Sequence, residues 1–166
     1  MKLEVKDLCV IAVLSAIIFS LEQVLSFLPN IQLTIFLLVL YSKKLGLYKT
    51  SLIVVIHTIL DNLIMGSFNI MFFPFMLLGW MIIPICLNTI FKKVESNISL
   101  AFLSVIFAIT YASAFIIPNM IFLHIDIIPY ITADLPFTGL LAASSFLSVL
   151  WLYNPCKKIL DTILGE

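Results

Sequence analysis

Long runs of apolar residues dominate the sequence, and short polar clusters separate them. The runs do not alternate polar with apolar residues, and each is too long for a strand of a transmembrane barrel. A helix that crosses the hydrocarbon core of a bilayer needs about 20 mostly apolar residues, so a chain of this length holds about six with short connections. The pattern predicts membrane-spanning helices over residues 8–27, 31–41, 47–65, 68–90, 98–122 and 130–153.

Prolines and polar turns mark the predicted ends and irregularities of these helices. Pro29 ends the first helix, and a lysine-rich turn around Gly46 separates the second from the third. A proline within a helix removes a hydrogen bond, so Pro84 and the earlier Pro74 predict kinks in the fourth helix. The fifth is interrupted near Pro118. Asn154 and Pro155 stop the sixth helix, and a short amphipathic tail follows over residues 156–166.

The amino-acid composition, together with this pattern, indicates the fold class. The chain of 166 residues is 63% hydrophobic and 11% charged, whereas soluble domains are about half apolar and a quarter charged. Such a chain cannot cover itself with polar surface in water. We therefore expect an all-α integral membrane protein with six transmembrane helices, folded as one domain over residues 1–166. We expect six spans to leave no room for a soluble catalytic or nucleotide-binding domain, and we expect no nucleic acid among the partners. The first apolar run lacks a signal-peptide cleavage site.

The distribution of charge predicts the orientation in the membrane. With six spans, every lysine falls on the side that holds both termini, and the chain has no arginine. Five or seven spans would scatter the lysines over both sides. The positive-inside rule then places both termini in the cytoplasm of a cell whose plasma membrane the chain crosses. The nine lysines are Lys2, Lys6, Lys43, Lys44, Lys49, Lys92, Lys93, Lys157 and Lys158.

Polar side chains within the apolar runs are candidates for a binding site, because buried polar groups in membranes usually face a cavity or each other. By the predicted topology nearly all of them fall in the outer half of the bilayer. This indicates a pocket that opens outward and is lined by several helices. The predicted substrate-binding residues are Glu22, Asn30, Gln32, His57, Asp61, Asn62, Trp80, Tyr111, Asn119 and Asp134.

Two interpretations stay open for the ionisable candidates. His57 and Asp61 are four residues apart and share one helix face, where they form either a ligand- or proton-handling pair or a pair that locks helix packing. Glu22 has Gln23 beside it and no nearby lysine, which favours a place in the pocket. Asp134 lies close to Pro136 and is also explained as a carboxylate at a helix start.

The other candidates also have structural explanations. Asn30 and Gln32 suit a plain polar turn, and Trp80 suits lipid or core packing as well as stacking on a ligand ring. The outer half lacks lysine and arginine, which a phosphate pocket would be expected to recruit. Neutral or cationic ligands are therefore favoured over phosphorylated ones.

Catalytic and metal-binding signatures are missing from the sequence. It contains no H-E-x-x-H, no G-x-S-x-G and no P-loop, and its cysteines and histidines lack metal-ligand spacing. We expect no catalytic residue, no metal and no cofactor.

Three segments carry a resemblance to a known family. Ala12 and Ala16 form a small-residue pair on the first helix, where another helix can approach closely. The stretches 27–33 (FLPNIQL) and 133–137 (ADLPF), with the size and predicted topology, complete the pattern. The chain resembles the substrate-binding S-components of energy-coupling factor (ECF) transporters, which import vitamins and related micronutrients.

The resemblance implies a function and partners. An S-component captures a micronutrient at an outward pocket and docks through its alanine motif, here Ala12 and Ala16, on a transmembrane coupling subunit that carries two ATPase subunits. It is thought to topple in the membrane and so deliver its ligand inward. ATP hydrolysis then belongs to the partners, and the chain itself is no enzyme. Within the family, neutral or cationic candidates include cobalamin, a queuosine precursor and thiamine.

Two other function classes compete with this expectation. The first is a proton- or ion-coupled carrier or channel that acts as an oligomer, with Glu22, His57 and Asp61 as a relay. Against it, the sequence shows no inverted repeat and no polar path across the inner half of the spans. The second is a small membrane enzyme or assembly factor, for which the sequence offers no catalytic signature.

Overall fold

The protein is described by a computed structural model that covers residues 3–64 and 69–165. Within these residues all regular structure is helical, which confirms the all-α class. The fifth helix follows the fourth after a single residue, so the two form one interrupted segment. The six helices are α1 (Val5–Leu25), α2 (Thr34–Ile64), α3 (Phe73–Asn88), α4 (Asn97–Ala114), α5 (Ile116–Leu123) and α6 (Ile127–Leu164).

Length and composition identify the segments that suit a membrane. Within residues 3–64 and 69–165, four are long and apolar enough to cross a bilayer, and α3 is a shorter apolar helix. The outer surface of the bundle carries many exposed isoleucines, leucines and phenylalanines, as expected where lipid replaces water. The four long segments are Val5–Leu25, Thr34–Ile64, Asn97–Leu123 and Ile127–Leu164.

The α2 segment consists of two helices that meet at Gly46. Its φ of 76° and ψ of −179° are not helical, so residues 34–45 and 47–64 form separate helices on either side. A positive φ of this size suits glycine, which has no Cβ to clash with the backbone. This break coincides with the polar turn that the sequence predicts. The predicted third helix ends at Met65 and the predicted fourth begins at Phe68, and both positions lie outside the described residues.

The first half of α2 is the centre of the bundle. Every residue from Thr34 to Ser42 is buried, so this helix contacts protein on all sides. α1, α3, α4 and α6 pack around the two halves of α2, and α4 also packs extensively on α6. The first half of α2 therefore has no lipid-facing surface of its own.

Pro74 acts differently from the sequence prediction, and the effect of Pro118 falls earlier in the chain than predicted. Pro74 lies in the first turn of α3, where its missing N–H breaks no hydrogen bond, so it starts the helix and does not kink it. The interruption predicted near Pro118 falls three residues earlier, at Phe115. Pro118 has no N–H for the carbonyl of Ala114, and α4 ends at that residue. Pro84 lies inside α3, as the sequence predicts.

The prediction that Pro155 stops the last helix is wrong. α6 continues through it to Leu164, which gives 38 residues and a length of roughly 57 Å. The extension is held by tertiary contacts. Leu160 is buried, Asp161 forms an ion pair with Lys44, and the carbonyl of Leu164 accepts a hydrogen bond from the Lys6 Nζ. These contacts offset the hydrogen bond that the proline removes.

Lysine contacts join four segments at one end of the bundle, which we call the lysine end. The Nζ of Lys49 lies 2.6 Å from Asp7 Oδ1 and connects the second half of α2 to the start of α1. The Nζ of Lys43 donates to the carbonyls of Phe91 and Lys92 just after α3, at 2.8 Å and 3.2 Å. Together with the contacts of Lys6 and Lys44 to α6, these bonds bring the lysine-rich turns to the same end.

Candidate ligand-binding site

The polar candidates gather at the end of the bundle opposite the lysine end. Glu22 lies 15 residues after Asp7 on α1, which is roughly 22 Å along the helix axis. The turn after α1 returns the chain to Thr34 at the start of α2, and the second half of α2 brings His57 and Asp61 to the same level. Three consecutive helices thus alternate in direction along the bundle axis. Residues far apart in sequence meet at one end of the bundle for this reason.

Glu22 and His57 form the closest charged contact of the site. Their Oε2 and Nε2 atoms are 3.1 Å apart, an ion-pair distance without hydrogen-bond alignment. The His57 side chain is fully buried, and Glu22 keeps 16% of its side chain exposed. The Thr34 hydroxyl is 3.5 Å from the same Glu22 oxygen and 3.3 Å from Gln32 Oε1. Glu22 is thus held between two helices.

Asp61 is close to this pair and has no partner of its own. It is four residues after His57 and is 9% exposed. Within residues 3–64 and 69–165 its carboxylate forms no hydrogen bond and no ion pair, although the charges of Glu22 and His57 act on it. A buried polar group without a partner is costly, so Asp61 is a candidate for contact with a ligand.

Two stacked aromatic rings form the wall behind these groups. The Trp80 and Tyr111 rings stack with centroids 3.7 Å apart and planes at 21°, and Trp80 is 6.2 Å from the His57 ring. Gly79 makes this stack possible, because a Cβ there would lie 2.8 Å from Tyr111 Cδ2. Trp80 is fully buried, and its Nε1 has no hydrogen-bond partner among the described residues.

Two neighbouring cavities open beside this wall. The first, which we call the Glu22 cavity, measures about 310 Å³, and the second, the Asp134 cavity, about 230 Å³. Asn30, Gln32 and Tyr111 line both. The Glu22 cavity is lined by Glu22, Leu25, Ser26, Leu28, Pro29, Asn30, Ile31, Gln32, Asp61, Met76 and Tyr111, and the Asp134 cavity by Asn30, Gln32, Tyr111, Ala112, Phe115, Tyr130, Asp134 and Leu141.

Six of the ten candidate substrate-binding residues line these cavities, and four do not. His57 and Trp80 lie behind the lining, in contact with Glu22 and Tyr111. Asn62 donates to the Thr58 carbonyl of its own helix, and its Nδ2 lies 3.1 Å from Met76 Sδ. Asn119 donates to the Phe115 carbonyl. The six that line a cavity are Glu22, Asn30, Gln32, Asp61, Tyr111 and Asp134.

The explanation of Asp134 as a helix-start carboxylate does not hold. α6 begins at Ile127, so Asp134 lies in its third turn, beyond reach of the free N–H groups. Its Oδ2 accepts a hydrogen bond from the Thr138 hydroxyl at 2.6 Å, one turn further along the same helix. Asp134 is thus a partnered carboxylate on the wall of a cavity.

Some residues that line the cavities are not among the substrate-binding residues predicted from the sequence. Met76 and Tyr130 line the cavities although neither is an obvious polar group in an apolar run. Both have helical spacing to a candidate, since Met76 precedes Trp80 by four residues and Tyr130 precedes Asp134 by four. That spacing is the signal which could have found them. Ser26 carries the same signal, because it follows Glu22 by four residues.

The alanine pair lies away from the cavities, on the outward face of α1. Ala12 and Ala16 are both exposed, and α1 packs on α2 alone among the described helices with an extensive contact. A shallow groove of about 430 Å³ runs along this face and is lined by Val13, Ala16, Ile17, Ser20 and Leu21. The face is therefore open to lipid or to another helix.

Comparison with protein-family models, with curated proteins and with solved structures finds no match for this chain. Within the described residues no group of three histidine, cysteine or acidic side chains is arranged to hold a metal ion. The chemistry of the site is that of its own side chains. Carboxylates and amides offer hydrogen-bond acceptors and donors to a ligand, beside aromatic and aliphatic surface.

Proposed function

We propose that this chain is the membrane-embedded substrate-binding subunit of an ECF-type importer in the plasma membrane. The observation that carries the proposal is the Glu22 cavity, which lies at the end of an apolar helical bundle remote from the lysine end and has a polar lining from α1, α2 and α4. A cavity of about 310 Å³ is at the small end of the range for ligand sites. Among the candidate micronutrients this volume favours a queuosine precursor or thiamine over the much larger cobalamin.

The proposed topology has six spans and both termini in the cytoplasm. The break at Gly46 divides α2 into two, so the four long segments give five spans, and α3 is the sixth. The contacts of Lys6, Lys43, Lys44 and Lys49 gather the termini and two turns at one end, which the positive-inside rule assigns to the cytoplasm. The two cavities then open toward the outside.

The energy for uptake comes from partner subunits in this proposal. A transmembrane coupling subunit docks on the exposed face of α1 at Ala12 and Ala16, where small side chains allow a close helix approach. Two ATPase subunits bound to it hydrolyse ATP, so the chain itself binds and delivers the ligand without chemistry.

The test combines ligand identification with transport. Mass spectrometry of small molecules that co-purify with the detergent-solubilised chain is expected to find one micronutrient at near one molecule per chain. Uptake of that compound by cells is expected to require a co-expressed coupling subunit and functional ATPases. Uptake that persists when the ATPases are inactivated would overturn the importer assignment.

A carrier is the second candidate, because Glu22, His57 and Asp61 form a buried ionisable group of the kind that relays protons. Below them, toward the lysine end, the buried side chains of the described residues are mainly apolar, such as Ile18, Leu38 and Ile53, and the buried polar ones are serine and threonine hydroxyls without charge. Reconstitution of the purified chain alone in liposomes separates the two functions. Substrate accumulation driven by a proton gradient would support the carrier.

A further inference from the structure

Asp61 is an unsatisfied acceptor that faces the Glu22 cavity. Its side chain is more than nine-tenths buried, lines the cavity, and has no hydrogen bond or ion pair within the described ranges. A buried ionised carboxylate is unfavourable unless a counter-charge or hydrogen-bond donors meet it. No side chain within residues 3–64 and 69–165 supplies these groups.

With both carboxylates ionised, the charge balance of the cavity is negative in either protonation state of His57. If the imidazole is charged, it compensates Glu22 and leaves the charge of Asp61 unbalanced. If the imidazole is neutral, both carboxylates are unbalanced. No lysine or arginine occurs in residues 7–42, 50–91 or 94–156, so no basic side chain of the nearby helices can compensate.

The rest of the lining indicates what kind of cation is complementary. Aliphatic and thioether side chains of Leu25, Leu28, Ile31 and Met76 share the cavity with the carboxylates. These groups suit a carbon skeleton, and the amide and hydroxyl groups that complete the lining are neutral hydrogen-bonding partners. The arrangement therefore suits an organic molecule with a positive N–H group at one end.

We propose that the Glu22 cavity binds a small organic cation whose N–H groups donate to the Asp61 carboxylate, with Glu22 as the second acceptor. This inference rests on the ligand-binding role proposed above and adds the chemical class of the ligand. Charge-assisted N–H···O hydrogen bonds are stronger than neutral ones, and more so in a partly buried site, so charge dominates selection.

Three probes of nearly equal shape isolate the charge. Benzamidinium is a flat cation, benzamide its neutral analogue and benzoate its anionic analogue. Calorimetric titration of the full chain in detergent, dialysed free of co-purified ligand, is expected to show saturable benzamidinium binding. Benzamide should bind at least about tenfold more weakly, and benzoate should not bind, because a charged donor to a carboxylate adds on the order of ten- to hundredfold in affinity.

Asp61→Asn keeps the shape of the side chain and removes its charge. It is expected to bring the affinity for benzamidinium down to that for benzamide, while the matched change Asp126→Asn, at an exposed carboxylate before α6, leaves it unchanged. Equal or tighter binding of benzamide or benzoate to the unaltered chain would overturn the inference, as would absence of saturable benzamidinium binding up to millimolar concentrations. The probe comparison needs no variant, so a folding defect of Asp61→Asn does not affect it.

The outcome is separable from that of the proposed function, because calorimetry needs no partner subunit. If the chain binds cations selectively but uptake does not depend on the ATPases, the inferred ligand class holds and the importer assignment is refuted. ATPase-dependent uptake of an anion would do the reverse.

Discussion

The carboxylate of Glu22 meets a completely buried imidazole from another helix, and the Thr34 hydroxyl lies beside the same oxygen. Such a group is restrained in position, and a restrained acceptor loses little conformational entropy when a ligand binds. The position of Glu22 on the cavity wall therefore makes it a second anchor next to the unpartnered Asp61.

Replacement of Glu22 by alanine is expected to weaken binding of the co-purified ligand by about 1–3 kcal/mol, the loss typical of a hydrogen bond to a charged group. Glu95→Ala is the matched control, since Glu95 is exposed near the lysine end. Calorimetry with the identified ligand measures both. An unchanged affinity for Glu22→Ala would remove this residue from the site.

Gly79 is the glycine whose substitution is expected to disturb the site. An added Cβ would lie 2.8 Å from Tyr111 Cδ2 and would push that ring away from Trp80, at a cost of about 1–3 kcal/mol for overpacking. A Cβ at Gly139 meets nothing within 4 Å. Thermal unfolding in detergent should thus show a lower midpoint for Gly79→Ala and no decrease for Gly139→Ala. Equal midpoints would contradict the close contact.

Helix ends in this protein depend on tertiary contacts as much as on local signals. α1 begins at Val5, earlier than the apolar run indicates, because the side chain of Asp7 accepts a hydrogen bond from the Glu4 N–H. α6 passes two prolines, at positions 136 and 155, without ending. A proline removes one hydrogen bond, and the packing of the following turns decides whether the helix continues.

The C-terminal extension of α6 is expected to contribute to stability through Leu160, which is 5% exposed. Leu160→Ala should lower the free energy of unfolding by about 2–4 kcal/mol, because it removes a buried side chain and leaves a cavity. Ile163→Ala, at a residue 66% exposed, should change it by less than about 0.5 kcal/mol. Denaturant unfolding of both variants provides the comparison. Equal effects would show that the extension does not pack as described.

The exposed face of α1 belongs to the docking proposal and not to the cavity. Ala16→Trp fills the groove beside Val13 and Ser20, so a partner helix is expected to lose its close approach. Uptake should be abolished while ligand affinity stays within about twofold, a difference below 0.5 kcal/mol. Ala143→Trp adds the same bulk at an exposed alanine of α6 and should leave uptake intact. Normal uptake by Ala16→Trp would refute docking at this face.

The protein has a polar cavity at one end, lysine contacts at the other, and an apolar core between them. This asymmetry predicts the result of labelling single cysteines with a membrane-impermeant maleimide, in a variant whose native Cys9, Cys86 and Cys156 are replaced. His124→Cys should react in intact cells. Lys93→Cys, on an exposed residue of the lysine-rich turn after α3, should react only after the membrane is opened.

Labelling of Lys93→Cys alone in intact cells would invert the topology, and labelling of both would refute the single span that the proposed topology places between the two positions. The inverted result would place the Glu22 cavity on the cytoplasmic face, where it cannot capture an external micronutrient. Efflux or an internal sensing role would then have to replace uptake.

Composition and apolar run length decide the helical membrane class, because only helices satisfy backbone hydrogen bonds in lipid over runs of this length. The position of Gly46 between two lysine-rich stretches likewise predicts the break that divides α2, since its backbone conformation suits glycine alone. Polar residues such as Glu22, His57 and Asp61 can also be identified as candidates from the sequence, because placing a polar side chain in lipid has a high free-energy cost.

Tertiary structure decides which of those candidates meet and which of them lack a partner. Helical spacing puts His57 and Asp61 on one face, but only packing of α1 on α2 brings Glu22 to His57 and leaves Asp61 unpaired at a cavity. Packing also carries α6 past Pro155 and sets Trp80 behind Tyr111. These outcomes depend on distances between segments that are far apart in the chain. Such distances cannot be read from a local stretch of sequence.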